Sequence, residues 1–320
     1  MKLYAAIGGV RTWVEDALRE SRQPWQLGSF EHPPTQRYVE KNVTQTNPQR
    51  FQFFLDSGAY SAWSRGSEIN IDEFCEFIRA NADHLDVYAS LDVIPGRPGQ
   101  KPTAAERDEA AEQSWRNYLY MVNEHNLSPL PVYHYGESRR FLDRMLDHGC
   151  DYIGIGGLVG IPGAQRRTWL DGVFHHITDA AGMPKVKTHG FGMTSVPLIF
   201  RYPWYSIDST TWIMISASGS IYLPAMRDGK FVFDDVPLTV SVSDRNPKQN
   251  KDGKHANSMP PTMRDILTQW LTFCGKTYAE VRDSYHHRAT CNATFFRCVS
   301  EAAQEPRPFN KTRPTRGSLL

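Results

Sequence analysis

The sequence predicts an α/β fold of the TIM-like (β/α)8 barrel class, with a hairpin insertion and a C-terminal helical extension. Three observations predict it. Short apolar strands alternate with amphipathic helices, the pattern of a parallel sheet covered by helices. Seven such strands are countable by residue 208, more than one doubly wound unit usually holds, and a barrel needs eight in about 250 residues. The strands also end on carboxylates, histidines or glycines, and in α/β barrels the strand carboxyl ends are where chemistry gathers.

Taken in order, Leu3 to Ile7 is a short apolar strand ending in Gly8-Gly9, and a helix follows from Thr12 to Glu20. The span from Ser21 to Arg50 is polar and proline-punctuated, with a helix expected around Arg37 to Val43. Phe51 to Leu55 is a dense apolar strand that runs into Asp56-Ser57-Gly58-Ala59-Tyr60. Asn70 caps the next helix, with Glu73 placed for a capping box and Phe74, Phe77 and Ile78 on one face. Val87 to Leu91 is a strand ending in Asp92, and Thr103 with Glu106 opens a helix of about 18 residues after a proline-stiffened loop.

Pro129 to Tyr133 is a strand ending in His134-Tyr135-Gly136, and Ser138 starts a helix closed by Gly149. Tyr152 to Ile155 ends in Gly156-Gly157-Leu158, before a helix from Gln165 to Ala181. Lys185 to Thr188 ends in His189-Gly190-Phe191-Gly192, and Val196 to Phe200 reads as one or two helical turns. Trp204 to Ile207 leads into Asp208, followed by Ser209, Thr210, Thr211 and Trp212. The eighth strand is expected after Ser218, where Ile221–Leu223, Phe231–Phe233 and Leu238–Val242 alternate like hairpin strands. Helices follow around Ile266 to Cys274, Thr277 to His286 and Ala293 to Ala303. These divisions give a catalytic barrel over 1–260, helices packed on it over 261–304, and a disordered proline- and arginine-rich tail over 305–320.

Composition narrows the class. The chain has 320 residues, 40% hydrophobic and 22% charged, with a formal charge of +1, so no global field favours or excludes a nucleic acid. Asn246 to His255 and Arg307 to Arg316 are locally basic. Five irregularly spaced cysteines do not make a secreted disulfide framework. No apolar run is long enough for a bilayer, and the N-terminus lacks a signal-peptide pattern, so a cytoplasmic protein with no membrane partner is expected.

The strand ends carry the chemistry. Asp56, Asp92, His134, Gly156-Gly157, His189 and Asp208 would all face one cleft in a barrel. Converging carboxylates raise one another's pKa values and divide acid, base and nucleophile roles. The competing reading is that each Asp binds loop amides as an Asx-turn or cap. Gly-Ile-Gly-Gly lacks the spacing of a dinucleotide fingerprint, and no Walker A sequence is present.

From Phe51 to Trp212 the chain resembles the tRNA-guanine transglycosylase family, barrels that exchange guanine for a 7-deazaguanine. Asp56-Ser57-Gly58-Ala59-Tyr60 is similar to the family's Asp-Ser-Gly-Gly-Phe, and Leu91-Asp92 to its base-recognising strand end. His134-Tyr135-Gly136 stands where the family has Gln-Gly-Gly, a departure that bears on base preference. Ile155-Gly156-Gly157-Leu158 resembles the Gly-Gly-Leu that holds the base by its backbone, His189-Gly190-Phe191-Gly192 the Met-Gly-Val-Gly region, and Asp208 the nucleophile. The resemblance implies Asp208 as nucleophile, Asp56 as general acid/base, and Asp92, His134, Gly156, Gly157, Tyr60 and His189 as base-binding, with Tyr60, Tyr135 or Phe191 for stacking.

The family's Cys-x-Cys-x-x-Cys zinc cluster is missing, because residues 213–273 contain no cysteine. No cofactor is therefore required by the sequence. A loose zinc set of Cys274, Cys291, Cys298 and His286 or His287 competes with plain core cysteines. With the Ser-Ile-Asp-Ser-Thr-Thr-Trp sequence, this is most similar to the branch of bacteria and phages that places 7-deazaguanines in DNA. The implied partners are DNA, with tRNA as runner-up, and a free 7-deazaguanine such as preQ0; a homodimer is left open. The implied purpose is protection of phage DNA from host restriction. The rivals are a barrel metallohydrolase using His134, His189 and Asp208, and a non-catalytic nucleic-acid-binding accessory.

Overall fold

A computed structural model describes residues 1–8, 12–44, 51–245, 255–305 and 307–311. It builds a TIM-like α/β fold. Strands β1 (Lys2–Ala6), β2 (Trp25–Ser29), β3 (Gln52–Asp56), β4 (Val87–Tyr88), β5 (Val132–His134), β6 (Tyr152–Gly156), β7 (Lys187–Gly190) and β8 (Ser206–Ser209) form one sheet. Their order is β4-β3-β2-β1-β8-β7-β6-β5, and every pairing is parallel. The two edges meet at a single parallel bridge between Ala89 and Leu130. Two backbone bonds hold it, Ser90 N–H to the Leu130 carbonyl and Leu130 N–H to that of Tyr88, both 2.8 Å. β4 is therefore shorter than the Val87–Leu91 expected from sequence; past Ala89 the chain leaves the ladder toward Asp92.

The helices between the strands are α1 (Thr12–Glu20), α2 (Pro33–Thr44), α3 (Ala59–Arg65), α4 (Ile71–Ala80), α5 (Ala104–Asn123), α6 (Arg139–Asp147), α7 (Gly163–Ile177) and α8 (Val196–Ile199). Their starts follow local chemistry. Asn70 accepts from the Asp72 and Glu73 amides, and Thr103 with Glu106 forms a reciprocal capping box that opens α5. Glu73 does not complete the box expected of it.

The eighth strand is not where the sequence suggested. It is β2, inside the polar span before Arg50, where Gln26 and Gly28 interrupt the apolar run that normally marks a strand. Both are buried for specific reasons. Gln26 Oε1 accepts from Tyr38 Oη at 2.7 Å, and a Cβ on Gly28 would stand 2.6 Å from Thr35 Cγ2. The segment after α9 (Thr211–Ala217) instead makes two antiparallel pairs outside the main sheet: β9 (Ser220–Leu223) with β12 (Leu238–Ser241), and β10 (Ala225–Arg227) with β11 (Lys230–Val232).

The C-terminal helices are α10 (Pro261–Phe273), α11 (Tyr278–Asp283) and α12 (Tyr285–Ala302). Extended backbone at Ser284 ends α11 early, and α12 then runs unbroken where two helices with a gap were expected. α12 lies against β1, β9, α1 and α9 and buries most of its length. Of the 305–320 tail, residues 305 and 307–311 are described. Phe309 is buried against Tyr202, and its N–H bonds the Gly182 carbonyl at 2.9 Å. Residues 312–320 lie outside the described residues. Among the described residues no helix is long and apolar enough to cross a membrane.

Two apolar layers position the site. Tyr4, Ala6, Leu27, Phe54, Ala89, Leu130 and Val132 form one cluster along the curled sheet, and a larger cluster packs strands against helices. The smaller cluster forms the floor on which the polar strand ends stand.

Candidate active site

A cavity of about 540 Å³ opens at the carboxyl ends of the strands, lined by Asp56, Asp92, His134, Gly156, Gly157 and Asp208 among others. Seven of the eight site residues expected from sequence, Tyr60 included, thus line one cavity, while His189 does not.

Asp56 closes β3. Its Oδ2 accepts from Ser29 Oγ at 2.9 Å and from the Gly58 amide at 3.2 Å. Gly58 holds φ +86°, and a Cβ there would lie 2.5 Å from Glu31 Cβ, so the turn that returns an amide to Asp56 requires glycine. Burial pushes the Asp56 carboxyl up to about 7, helped by the charges of Asp92 and Asp208 and opposed by the two hydrogen bonds. Both protonation states are therefore populated near neutrality, as a general acid/base requires.

Asp92 accepts from Ser57 Oγ at 3.2 Å on Oδ1 and from His134 Nε2 at 2.8 Å on Oδ2. The other nitrogen of His134 faces Glu137 Oε1 at 2.9 Å. Burial works against a charge on this ring, but Glu137 and Asp92 outweigh it and raise its pKa to about 10. This favours the imidazolium, in which both N–H groups are committed to carboxylates. His134 lines the cavity, and both of its ring nitrogens face carboxylates.

Gly156 and Gly157 make that packing feasible. A Cβ on Gly156 would sit 3.0 Å from His134 Cδ2, and one on Gly157 3.1 Å from the Tyr135 amide nitrogen. The glycines serve the histidine as much as any flat ligand.

Asp208 ends the opposite flank. Its Oδ1 accepts from the Gly192 amide at 2.8 Å and faces His189 Nε2 at 3.3 Å; among the described residues Oδ2 has no hydrogen-bond donor. His189 is fully buried, its ring packed on Phe54 and Phe191, so it underlies Asp208 and is not on the cavity lining. Burial pushes its pKa down, with Asp208 only partly offsetting. As a neutral ring it donates from Nε2 to Asp208 and accepts at Nδ1 from Ser206 Oγ, 2.5 Å away, which in turn meets Tyr152 Oη. The hydroxyls after Asp208 do not surround its carboxylate: Ser209 and Thr211 bond each other at 2.8 Å, and Trp212 is buried with its Nε1 on the Ala6 carbonyl. Only Thr210 lines the cavity.

Sequence reasoning missed Glu137, Ser206, Tyr152 and Ser29. The rim also carries Tyr60, 60% exposed and 5.6 Å from the Trp63 ring, and the cations Lys101 and Arg107, neither in an ion pair among the described residues. The basic stretches around Lys248 to Lys254 and Arg313 to Arg316, which could contact phosphates, lie outside the described residues. Arg307 covers the Phe200 ring, and Lys311 bonds the carbonyls of His175 and Thr178.

The zinc candidates do not assemble. Among the described residues no group of three His, Cys, Asp or Glu side chains is arranged to hold a metal ion. Cys291 and Cys298 are buried in α12, burial and the Cys291 thiol push Cys274 far up, and His286 stacks on His287 near Glu20. The metallohydrolase set fails similarly, since both nitrogens of His134 are taken by carboxylates and those of His189 by Ser206 and Asp208. No protein-family model matches the chain, and no curated protein matches it either.

Proposed function

We propose that the protein is a base-exchange transglycosylase acting on guanine in DNA and inserting a 7-deazaguanine such as preQ0. The observation that carries this reading is the convergence of Asp56, Asp92 and Asp208 from three strand ends onto one nucleoside-sized cavity, in unlike environments. The eight strands are read accordingly as a (β/α)8 barrel closed through the Ala89–Leu130 bridge.

Asp208 Oδ2 attacks C1′ of the target deoxyguanosine, and the C1′–N9 bond breaks to give a covalent nucleotide–enzyme ester. The electron pair left on guanine takes a proton from neutral Asp56. The incoming 7-deazaguanine then gives its N9 proton to the Asp56 carboxylate and attacks C1′, and Asp208 departs as a carboxylate. Two inversions give net retention. Asp92 and the Gly156-Gly157 backbone face the base. The nucleotide must leave the stack to enter; Tyr60 and Trp63 offer a stacking surface at the rim, and Lys101 and Arg107 offer charge for its phosphates.

DNA is favoured over tRNA by the resemblance around Asp208 and by the missing cysteine cluster. A 7-deazaguanine lacks the N7 acceptor that nucleases read in the major groove, so the modification would shield phage DNA from restriction. The test is exchange of labelled guanine and preQ0 into DNA and tRNA side by side. Label in DNA is expected. Label in tRNA alone would overturn the choice of acceptor, and label in neither would overturn the exchange reaction.

A further inference from the structure

We propose that Glu137 and His134 are positioning residues that present Asp92 to the cleft solely as a hydrogen-bond acceptor, selecting a base whose edge carries two adjacent N–H donors. The inference rests on the base-exchange reading. That reading assigns Asp92 to the base; the device that fixes its polarity is what the structure adds.

The argument starts from proton count. His134 faces carboxylate oxygens through both nitrogens, at 2.8 Å and 2.9 Å. A neutral imidazole has one N–H, so one nitrogen lone pair would point at a carboxylate. With both protons on the ring, each nitrogen donates and each carboxylate accepts. Ser57 donates to the other oxygen of Asp92. Asp92 then keeps one spare lone pair on each oxygen, side by side, and has no proton to give. That pattern fits the N1–H and 2-amino group of a guanine-type edge, which 7-deazaguanines share. Adenine presents an acceptor at N1, and hypoxanthine lacks the amino group.

Glu137 is built in at some cost. Its side chain is 4% exposed, and its Oε2 has no hydrogen-bond partner among the described residues. Buried charge is retained only where something compensates it, and here that is the His134 ring. The turn is shaped for the contact. Gly136 at φ +84° folds the chain back so that the Glu137 amide meets the His134 carbonyl, and Tyr133 Oη clamps the Glu137 carbonyl at 3.0 Å. The other charged groups around this relay are Arg107, packed over Gly136, and Asp56, beyond Asp92.

The experiment uses the full chain and measures guanine and hypoxanthine binding by calorimetry for wild type, Glu137→Gln and the double variant His134→Gln/Glu137→Gln. Glu137→Gln removes the counter-charge while keeping the shape. Its preference for guanine should fall about tenfold or more. The double variant, in which an amide again donates to Asp92, should regain most of that preference, a rescue that a merely structural role would not give. Nitrogen-15 spectra supply a readout independent of any base: both His134 nitrogens should be protonated at pH 7 in wild type. An unchanged preference in Glu137→Gln with wild-type binding intact, or a neutral His134 ring at pH 7, overturns the inference while leaving base exchange standing. Wild type that binds neither base overturns the base-exchange reading itself.

Discussion

The two flanks of the cleft each pair a buried histidine with a carboxylate, yet the histidines are in opposite states. His134 stands between Asp92 and Glu137 and is held charged; His189 stands between Asp208 and Ser206 and is held neutral. Burial is similar, so burial does not decide. A second carboxylate does. Where Nδ1 meets Glu137, the ring gains a second counter-charge; where it meets the Ser206 hydroxyl, it must accept, and the proton stays on Nε2. One flank thus carries a carboxylate with one donor on each oxygen and a lone pair left on each, suited to binding. The other carries a cavity-lining carboxylate that, among the described residues, is hydrogen-bonded on Oδ1 only, suited to attack.

Substituting the two carboxylates tests that division most severely. Asp208→Asn should abolish the covalent adduct with a guanine-containing oligonucleotide and lower exchange by roughly 10⁴-fold or more, because an amide neither attacks C1′ nor leaves it. Asp92→Asn should still form an adduct and lose on the order of 10–100-fold in discrimination between bases. Denaturing electrophoresis followed by mass spectrometry reads both. An adduct on Asp92 or Asp56 in the Asp208 variant would reverse the roles of the flanks.

The carboxylates were legible in the sequence because each follows an apolar run, and an apolar run that stops on Asp is a one-dimensional signal. Most of the strand–helix alternation was legible for the same reason. β2 was not, since Gln26 and Gly28 are excused from the apolar pattern by Tyr38 and Thr35, contacts that exist only after folding. Glu137 was hidden because its approach to His134 depends on the backbone sign at Gly136. Ser206 and Tyr152 were hidden because they reach His189 across neighbouring strands. His189 was legible as a strand-end histidine, but whether it points into the cleft or beneath it is set by the packing of Phe54 and Phe191.

Stability against pH separates the groups next. His134 has a folded-state pKa near 10, above its ordinary value, so its stabilising contribution is complete below about pH 6.5 and drains away as pH rises through 10. Asp56, raised to about 7, contributes in the same sense: relative stability is greatest below its unfolded pKa and is lost as pH climbs to 7 and the buried charge appears. Asp56→Asn removes that charge. Its melting temperature should exceed wild type by several degrees at pH 8 and by little at pH 4, on the order of 2–4 kcal/mol at the higher pH. Exchange should be crippled while a covalent adduct still forms, provided guanine leaves with weaker assistance. Equal melting temperatures at both pH values would mean that Asp56 carries no unfavourable charge.

The smallest expected effect lies deepest. Ser206→Ala removes the hydroxyl between Tyr152 Oη and His189 Nδ1; Ser206 and His189 are fully buried and Tyr152 is partly buried. His189 Nδ1 loses its partner without reaching water, so stability should fall by about 1–3 kcal/mol. The functional consequence is narrower. With no donor at Nδ1, the His189 proton is no longer confined to Nε2, and in the other tautomer a lone pair faces Asp208 Oδ1. Oδ1 then keeps the Gly192 amide alone, and the carboxylate is less firmly aimed. Adduct formation should slow several-fold, about 1 kcal/mol in the barrier. The preference for guanine over hypoxanthine, which belongs to the other flank, should stay within about twofold of wild type. A parallel loss of adduct rate and base preference would show that the two flanks move as one unit, and that the charge of each histidine is not set locally.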